Sequence, residues 1–295
     1  MANTRTLTIV MADDGFDGRI PTGQNVVVLS PTTAKAFDIR KPGMDLFVVA
    51  AATGLESVAG LVHEANSAHR LRALFARADV DCTWLLPMLE RAGVRTLRNM
   101  LVHTSAAVPE RVLGAWQSCA QDYLIADAAV ADDRLFVRSC ALERFEVGFR
   151  DIPALADMPE SERPRFVVDR DGSYLHWDSG DIHVGLDMLR YALDPGFRAK
   201  ANLRRLSFDR RFGRAVKALR LDKGLRQSDI LGLSARQVSR IEAGYGVPRA
   251  ETIRKLARAH GLDAVTYLDR VAVALSESNA GPLPRPMKAA PRPAR

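Results

Sequence analysis

Short apolar runs at residues 7–11, 25–29 and 45–52 read as strands, with Gly15, Gly18, Pro21 and Gly23 marking the first connection and Pro31, Pro42 and Gly43 the second. Over residues 55–78 and 83–92 the apolar spacing becomes helical. Helical spacing returns at 108–121, and then apolar and polar residues alternate over 123–130, 134–140 and 145–149. A period of two places every second side chain on one face, so these are predicted to be half-buried strands, the first two joined by the turn at Asp132-Asp133. Asp169-Arg170-Asp171-Gly172 separates 166–168 from 174–177, which predicts a hairpin, and 181–192 reads as a short closing helix. Residues 198–208, rich in Arg and Lys, read as a linker helix or arm. Beyond residue 273 the chain turns to Ser, Pro, Ala and Arg with few apolar positions, and a disordered tail is expected.

The densest pattern lies between that arm and the tail. Gly224-Leu225-Arg226-Gln227-Ser228-Asp229-Ile230 and the stretch from Leu233 to Gly244 read as the two central helices of a helix-turn-helix module. Ser234 can accept the free amide of Gln237 as an N-cap, Val238 and Ile241 fall on one buried stripe, and Gly244 supplies a left-handed stop. Ala235, Arg236, Gln237, Ser239 and Arg240 are then left on the other face. Arginine and glutamine carry forked donors that match guanine and adenine edges in the major groove, so this face suits base readout.

Charge sharpens that picture. The 295 residues carry 42 Lys and Arg against 35 Asp and Glu. Between Arg198 and His260 there are 17 basic against 5 acidic side chains, whereas the remainder of the chain is acidic. The basic excess therefore belongs to one module, as expected of a segment that neutralises phosphates and releases their counterions; from charge alone, RNA or a membrane surface fits as well as DNA.

From about residue 212 to 268 the chain resembles the Cro/C1-type (XRE-like) helix-turn-helix domain of bacterial and phage regulators. The resemblance rests on Phe212, Val216 and Leu219 in a first helix, Gly224-Leu225-x-Gln227 opening the second, and Ser239-Arg240-Ile241-Glu242-x-Gly244 ending the third. Pro248, Ile253, Leu256, Ala257 and Gly261-Leu262 match the fourth helix and its exit. The resemblance implies that Gln227 hydrogen-bonds a phosphate or braces the recognition helix, that Arg236, Gln237 and Arg240 lie nearest base edges, and that Glu242 and Ala243 serve structure and the turn. Arg226, Arg249 and Arg254, near helix starts, are placed to grip phosphates. The expected DNA-contacting set is Arg226, Gln227, Ser234, Arg236, Gln237, Ser239, Arg240 and Arg249. Between Gln227 and Ser234 the chain is about three residues shorter than the family pattern, so the second helix is expected to lose nearly a turn, or to tilt, to keep Ile230 in the core.

The middle segment resembles the bacterial domain-of-unknown-function family 2442 through Phe166, Gly172, Tyr174, Trp177, Asp181 and Leu189. That resemblance implies a small α+β architecture and carries no activity with it.

His176, Asp178, Asp181 and His183 lie within eight residues and are good metal-ligand types. On a strand His176 and Asp178 share a face, but the Ser179-Gly180 turn leaves the other two unconstrained, so the expected reading is a surface turn with Asp181 capping the following helix, and no metal. Asp13-Asp14 after a strand has the form of a phosphoacceptor receiver's acidic pair, yet the strand over 46–52 ends without an aspartate and no matching lysine strand follows. The glycines over 15–23 lack the Gly-Lys-Ser/Thr of a phosphate-binding loop. Cys82, Cys119 and Cys140 show neither C-x-x-C spacing nor an even count, and read as reduced, buried structural thiols of a cytosolic protein. No run approaches the length of a membrane span, and the first residues lack a signal-peptide pattern.

The expected fold class is α+β: a mixed α/β region over 1–105, a small α+β domain over 106–197, a basic linker over 198–208, an all-α helix-turn-helix bundle over 209–272 and a tail over 273–295. The function expected is a cytoplasmic, sequence-specific DNA-binding transcriptional regulator without catalysis or cofactor. Its partners would be double-stranded DNA, a second copy of the chain on an inverted repeat, and in some readings a protein bound through the N-terminal region, with no membrane. Two alternatives are an antitoxin-like adaptor whose N-terminal region binds a protein, and a metal-dependent enzyme centred on the middle domain.

Overall fold

Every residue of the strand Met44–Ala51 is buried, and this run forms the centre of a five-stranded parallel sheet. In chain order the strands are β1 (Thr6–Ala12), β2 (Val26–Leu29), β3 (Met44–Ala51), β4 (Leu71–Arg77) and β5 (Met100–His103), and their order across the sheet is β2-β1-β3-β4-β5. The computed structural model describes residues 5–39, 41–78 and 84–277, and the chain divides into two units, Met1–Asp194 and Pro195–Arg295.

Parallel strands need crossovers, and the crossovers cover both faces. Leu46, Val48 and Ala50 pack with α2 (Leu55–Ser67) through Leu55, Val58 and Val62, and with α3 (Leu85–Arg91) through Leu89. A short helix, α1 (Pro31–Ala34), contributes Ala34 to the same layer. Phe47 and Val49 point the other way, toward Val108 and Val112 of α4 (Ala107–Gln117). The helix expected over 55–78 ends at Ser67; His69 takes φ 56 and the chain enters β4. With both faces buried, β4 is apolar almost throughout and loses the alternation that would have distinguished it from a helix. Asp13, at the end of β1, is buried against Arg77, with Oδ1 3.0 Å from Nη2 and accepting from the Gly15 amide at 3.1 Å.

Two antiparallel sheets follow. β6 (Ile125–Ala131), β7 (Arg134–Ser139) and β8 (Arg144–Gly148) form a meander whose first turn uses Asp132 and Asp133 at φ 47 and 67, as a two-residue hairpin requires. β9 (Val167–Val168), β10 (Leu175–Trp177) and β11 (Ile182–Val184) form the second sheet. Trp177 is fully buried among Phe149, Leu155 and Leu189, and its indole donates to the Arg163 carbonyl at 3.0 Å. Gly172 is required by its φ of 82 and by close approach, since a Cβ there would stand 2.3 Å from the Ile125 carbonyl oxygen.

Three expectations for this region change. The boundary at 105/106 does not separate two bodies, because α4, read with the middle segment, packs on the parallel sheet and both sheets' surroundings belong to the first unit. Residues 182–184 are a strand, and the closing helix α5 (Leu186–Leu193) is preceded by Gly185 at its N-cap, so Asp181 does not cap it. Cys140 is buried and its thiol is pushed up to about 12 by desolvation, whereas Cys119 is exposed; Cys82 lies outside the described residues.

The second unit is helical: α6 (Pro195–Asp222), α7 (Ala235–Glu242), α8 (Ala250–Ala259) and α9 (Ala264–Glu277). The linker expected over 198–208 is the continuous first half of α6, which opens with Pro195 where a missing amide costs nothing. Phe212, Val216, Ile230, Val238, Leu256, Tyr267 and Val271 make the core. Residues 273–277, expected in the tail, are helical, since α9 runs through Glu277; residues 278–295, the rest of that expectation, lie outside the described residues. Among the described residues no helix is long and apolar enough to cross a membrane.

Candidate nucleic-acid interface

Ser234 starts α7. Its hydroxyl accepts the Gln237 amide at 3.2 Å while its own amide donates to Gln237 Oε1 at 2.8 Å, a reciprocal cap that satisfies two otherwise orphaned donors. Val238 and Glu242 face inward and are buried; Ala235, Arg236, Gln237, Ser239 and Arg240 are exposed. Gly244, at φ 79, ends the helix. The exposed set is the one expected; on the inner face Ile241, expected beside Val238, is half-buried, and Glu242 takes the fully buried place.

The element before α7 is shorter than expected. Between Gly224 and Ser234 there is no α-helix, only a 3₁₀ turn over Gln227–Asp229. Asp229 folds back to accept the Arg226 amide at 2.8 Å, and Gly232 at φ 80 lies in a separate turn closed by the Leu233 amide on the Ile230 carbonyl at 3.2 Å. Ile230 still reaches the core, at 1% exposure.

Side-chain hydrogen bonds replace the missing helix contacts. Arg220 of α6 donates from Nε and Nη2 to the two carboxylate oxygens of Glu242, at 2.5 and 3.0 Å, and from Nη1 to the Leu225 carbonyl at 2.6 Å. Gln227 donates from Nε2 to Glu242 Oε2 at 2.8 Å. Burial works against the Glu242 carboxylate, but the hydrogen bonds from Arg220 and Gln227 outweigh it and hold its pKa below the ordinary value. Gln227 thus braces the end of α7, one of the two roles the resemblance implied. Gly213 and Gly244 let α6 and the end of α7 touch backbone to backbone: a Cβ on Gly213 would stand 2.4 Å from the Ile241 carbonyl oxygen, and one on Gly244 would stand 2.6 Å from the Arg210 Cα.

Three further arginines lie on the elements that precede and follow α7 in the chain. Arg226 is exposed just before the 3₁₀ turn, Arg249 is exposed at the N-cap of α8, and Arg254 is exposed within α8 rather than at its start. Of the expected set, Arg226, Arg236, Ser239, Arg240 and Arg249 have exposed side chains, and Ser234 and Gln237 are exposed but engaged with each other. Gln227 is half-buried on Glu242. Two features escaped the sequence pattern. Leu231 and Tyr245 flank α7 with 88% and 74% of their surface exposed, and α9 completes the core through Tyr267 and Val271. The exposed pair carries no periodic signal; α9 does, but it continues past the fourth helix of the family pattern.

Residues 211–267 match a family described as a helix-turn-helix domain. This segment is a helix-turn-helix domain. The match begins within α6 and ends at Tyr267, so the domain's first helix is the second half of a longer one. No curated protein matches the chain. The helix-turn-helix domain holds its third element, α7, by the Ser234 cap at one end and the Arg220–Glu242 pair at the other, with the basic face turned to solvent.

Proposed function

We propose that this protein is a sequence-specific DNA-binding transcriptional regulator of the Cro/C1 (XRE) type, acting without catalysis and reading an inverted repeat as a homodimer. One observation carries the reading: α7 buries Val238 and Glu242 while exposing Arg236 and Arg240 on the other side, inside the domain that matches the helix-turn-helix family. A fixed helix with two outward guanidinium groups suits the major groove, where arginine pairs with guanine O6 and N7. Gln237 contributes differently, because its carbonyl oxygen accepts from both the Ser234 amide and hydroxyl, so bidentate pairing with adenine would break the cap. Arg226 and Arg249 bind phosphates and set register.

A single module contacts few base pairs, and two recognition helices spaced by about 34 Å supply the missing specificity. Leu203 and Leu206, exposed and three residues apart on α6, support pairing with a second copy. The first unit, including the segment that resembles family 2442, senses a partner or ligand in this reading. Selection of bound fragments from a random duplex pool, at stated salt, tests it. The expected product is an inverted repeat; recovery of unrelated sequences that bind as tightly as any other DNA would rule it out.

A further inference from the structure

β10 and β11 pair antiparallel with Leu175 opposite Val184, His176 opposite His183 and Trp177 opposite Ile182. Leu175, Trp177 and Val184 point into the core, so the two histidines share the outer face of the hairpin. Their rings stack at 4.4 Å with planes 10° apart. The connecting turn leaves Asp181 in the left-handed region at φ 48, and its Oδ1 lies 3.3 Å from His176 Nε2 and 3.8 Å from His183 Nδ1. The sequence left these residues free to diverge; the strand register brings them together.

We propose that His176, Asp181 and His183 form a binding site for a divalent transition-metal ion such as Zn²⁺. Three observations support it. First, the donor set is two imidazoles and one carboxylate, which suits zinc, cobalt and nickel. Second, the ligand atoms all lie within 4.8 Å of one another. Bonds of about 2.0–2.2 Å in a tetrahedral site put ligand atoms about 3.4 Å apart, so the two imidazole–carboxylate separations are already close, and metal binding swings one ring out of the stack to bring both lone pairs onto the ion. Third, His176 Nε2 makes no hydrogen bond although the Asp181 carboxylate lies 3.3 Å away, and Nδ1 of the same ring lies 3.4 Å from Asp178 Oδ1. A proton on Nδ1, directed at Asp178, leaves the Nε2 lone pair for an ion shared with Asp181, and an outer carboxylate fixes the tautomer of a metal-binding histidine in this way. Water completes the coordination. The site rests on the first unit alone and stands whether or not the chain binds DNA.

The test uses the full chain without a histidine tag. Zn²⁺ uptake is measured by equilibrium dialysis, and Co²⁺ by its visible ligand-field absorption. Expected is one saturable equivalent, with the intense absorption of a four-coordinate cobalt site. His176→Ala and His183→Ala should each weaken binding roughly 100-fold, and Asp178→Asn roughly tenfold, as loss of an outer carboxylate does. The three substituted side chains lie on the solvent side of the hairpin or its turn, and an unchanged melting curve without metal shows that each variant folds. Unchanged stoichiometry and affinity in His176→Ala/His183→Ala would place the metal elsewhere and overturn the proposal, as would the absence of saturable uptake by the wild-type chain.

Discussion

Arg220 and Glu242, twenty-two positions apart in the chain, meet through two hydrogen bonds with both side chains almost fully buried between α6 and the end of α7. Removing one partner of such a pair strands a buried charge. Glu242→Ala is therefore expected to lower the stability of the helix-turn-helix domain by roughly 3–5 kcal/mol, read as faster amide exchange throughout α7. Exchange in the first unit should not change.

The same pair makes the domain acid-sensitive. Glu242 has a lower pKa folded than unfolded, so its stabilisation is complete above the unfolded value and is lost as pH falls through the folded one. Amide exchange in α7 measured from pH 7 down to pH 3, after correction for intrinsic rates, should show protection falling with acidification. In Glu242→Gln that acid-dependent component should be smaller.

Two glycines should fail for different reasons. Gly213→Ala drives a methyl into the Ile241 and Glu242 carbonyls, and relieving it requires α6 and α7 to separate. Gly224→Ala meets nothing within 4 Å but is held at φ 70, where a side chain costs about 1–2 kcal/mol. Both should destabilise the domain. Only Gly213→Ala should also weaken DNA binding beyond its effect on folding, as seen by binding assays under conditions where each variant is folded.

Thiol chemistry distinguishes Cys119 from Cys140. Cys119 is exposed, and Cys140 is buried with its thiol raised to about 12. Maleimide at neutral pH, followed by peptide mass spectrometry, should label Cys119 within minutes and Cys140 only after denaturation.

How far the fold was legible depended on where its determinants lie in sequence. Strands β1, β2 and β3, the hairpin at Asp132-Asp133 and the whole of α7 with its Ser234 cap follow from patterns a few residues long. β4 does not, because a strand buried on both faces carries no alternation, and β5, with Val102 as its one β-branched residue where β2 has three, carries a weaker strand signal. The outer face of α7 was legible because the burial of Val238 fixes the exposure of its neighbours. The Arg220–Glu242–Gln227 network was only half legible: the resemblance implied a brace, but nothing local to Glu242 points to Arg220. The pairing of His176 with His183 was hidden for the same reason, since register is set by the core side chains between them.

The central claim is that Arg236 and Arg240 read bases from the exposed face of α7. Its most direct measurement compares Arg236→Ala, Arg240→Ala and Arg249→Ala for affinity to the selected operator and to a scrambled duplex at one salt concentration. Arg236→Ala and Arg240→Ala should each lose about 1–3 kcal/mol on the operator and little on scrambled DNA, while Arg249→Ala should weaken both alike. Equal losses on both duplexes for Arg236→Ala and Arg240→Ala would contradict it.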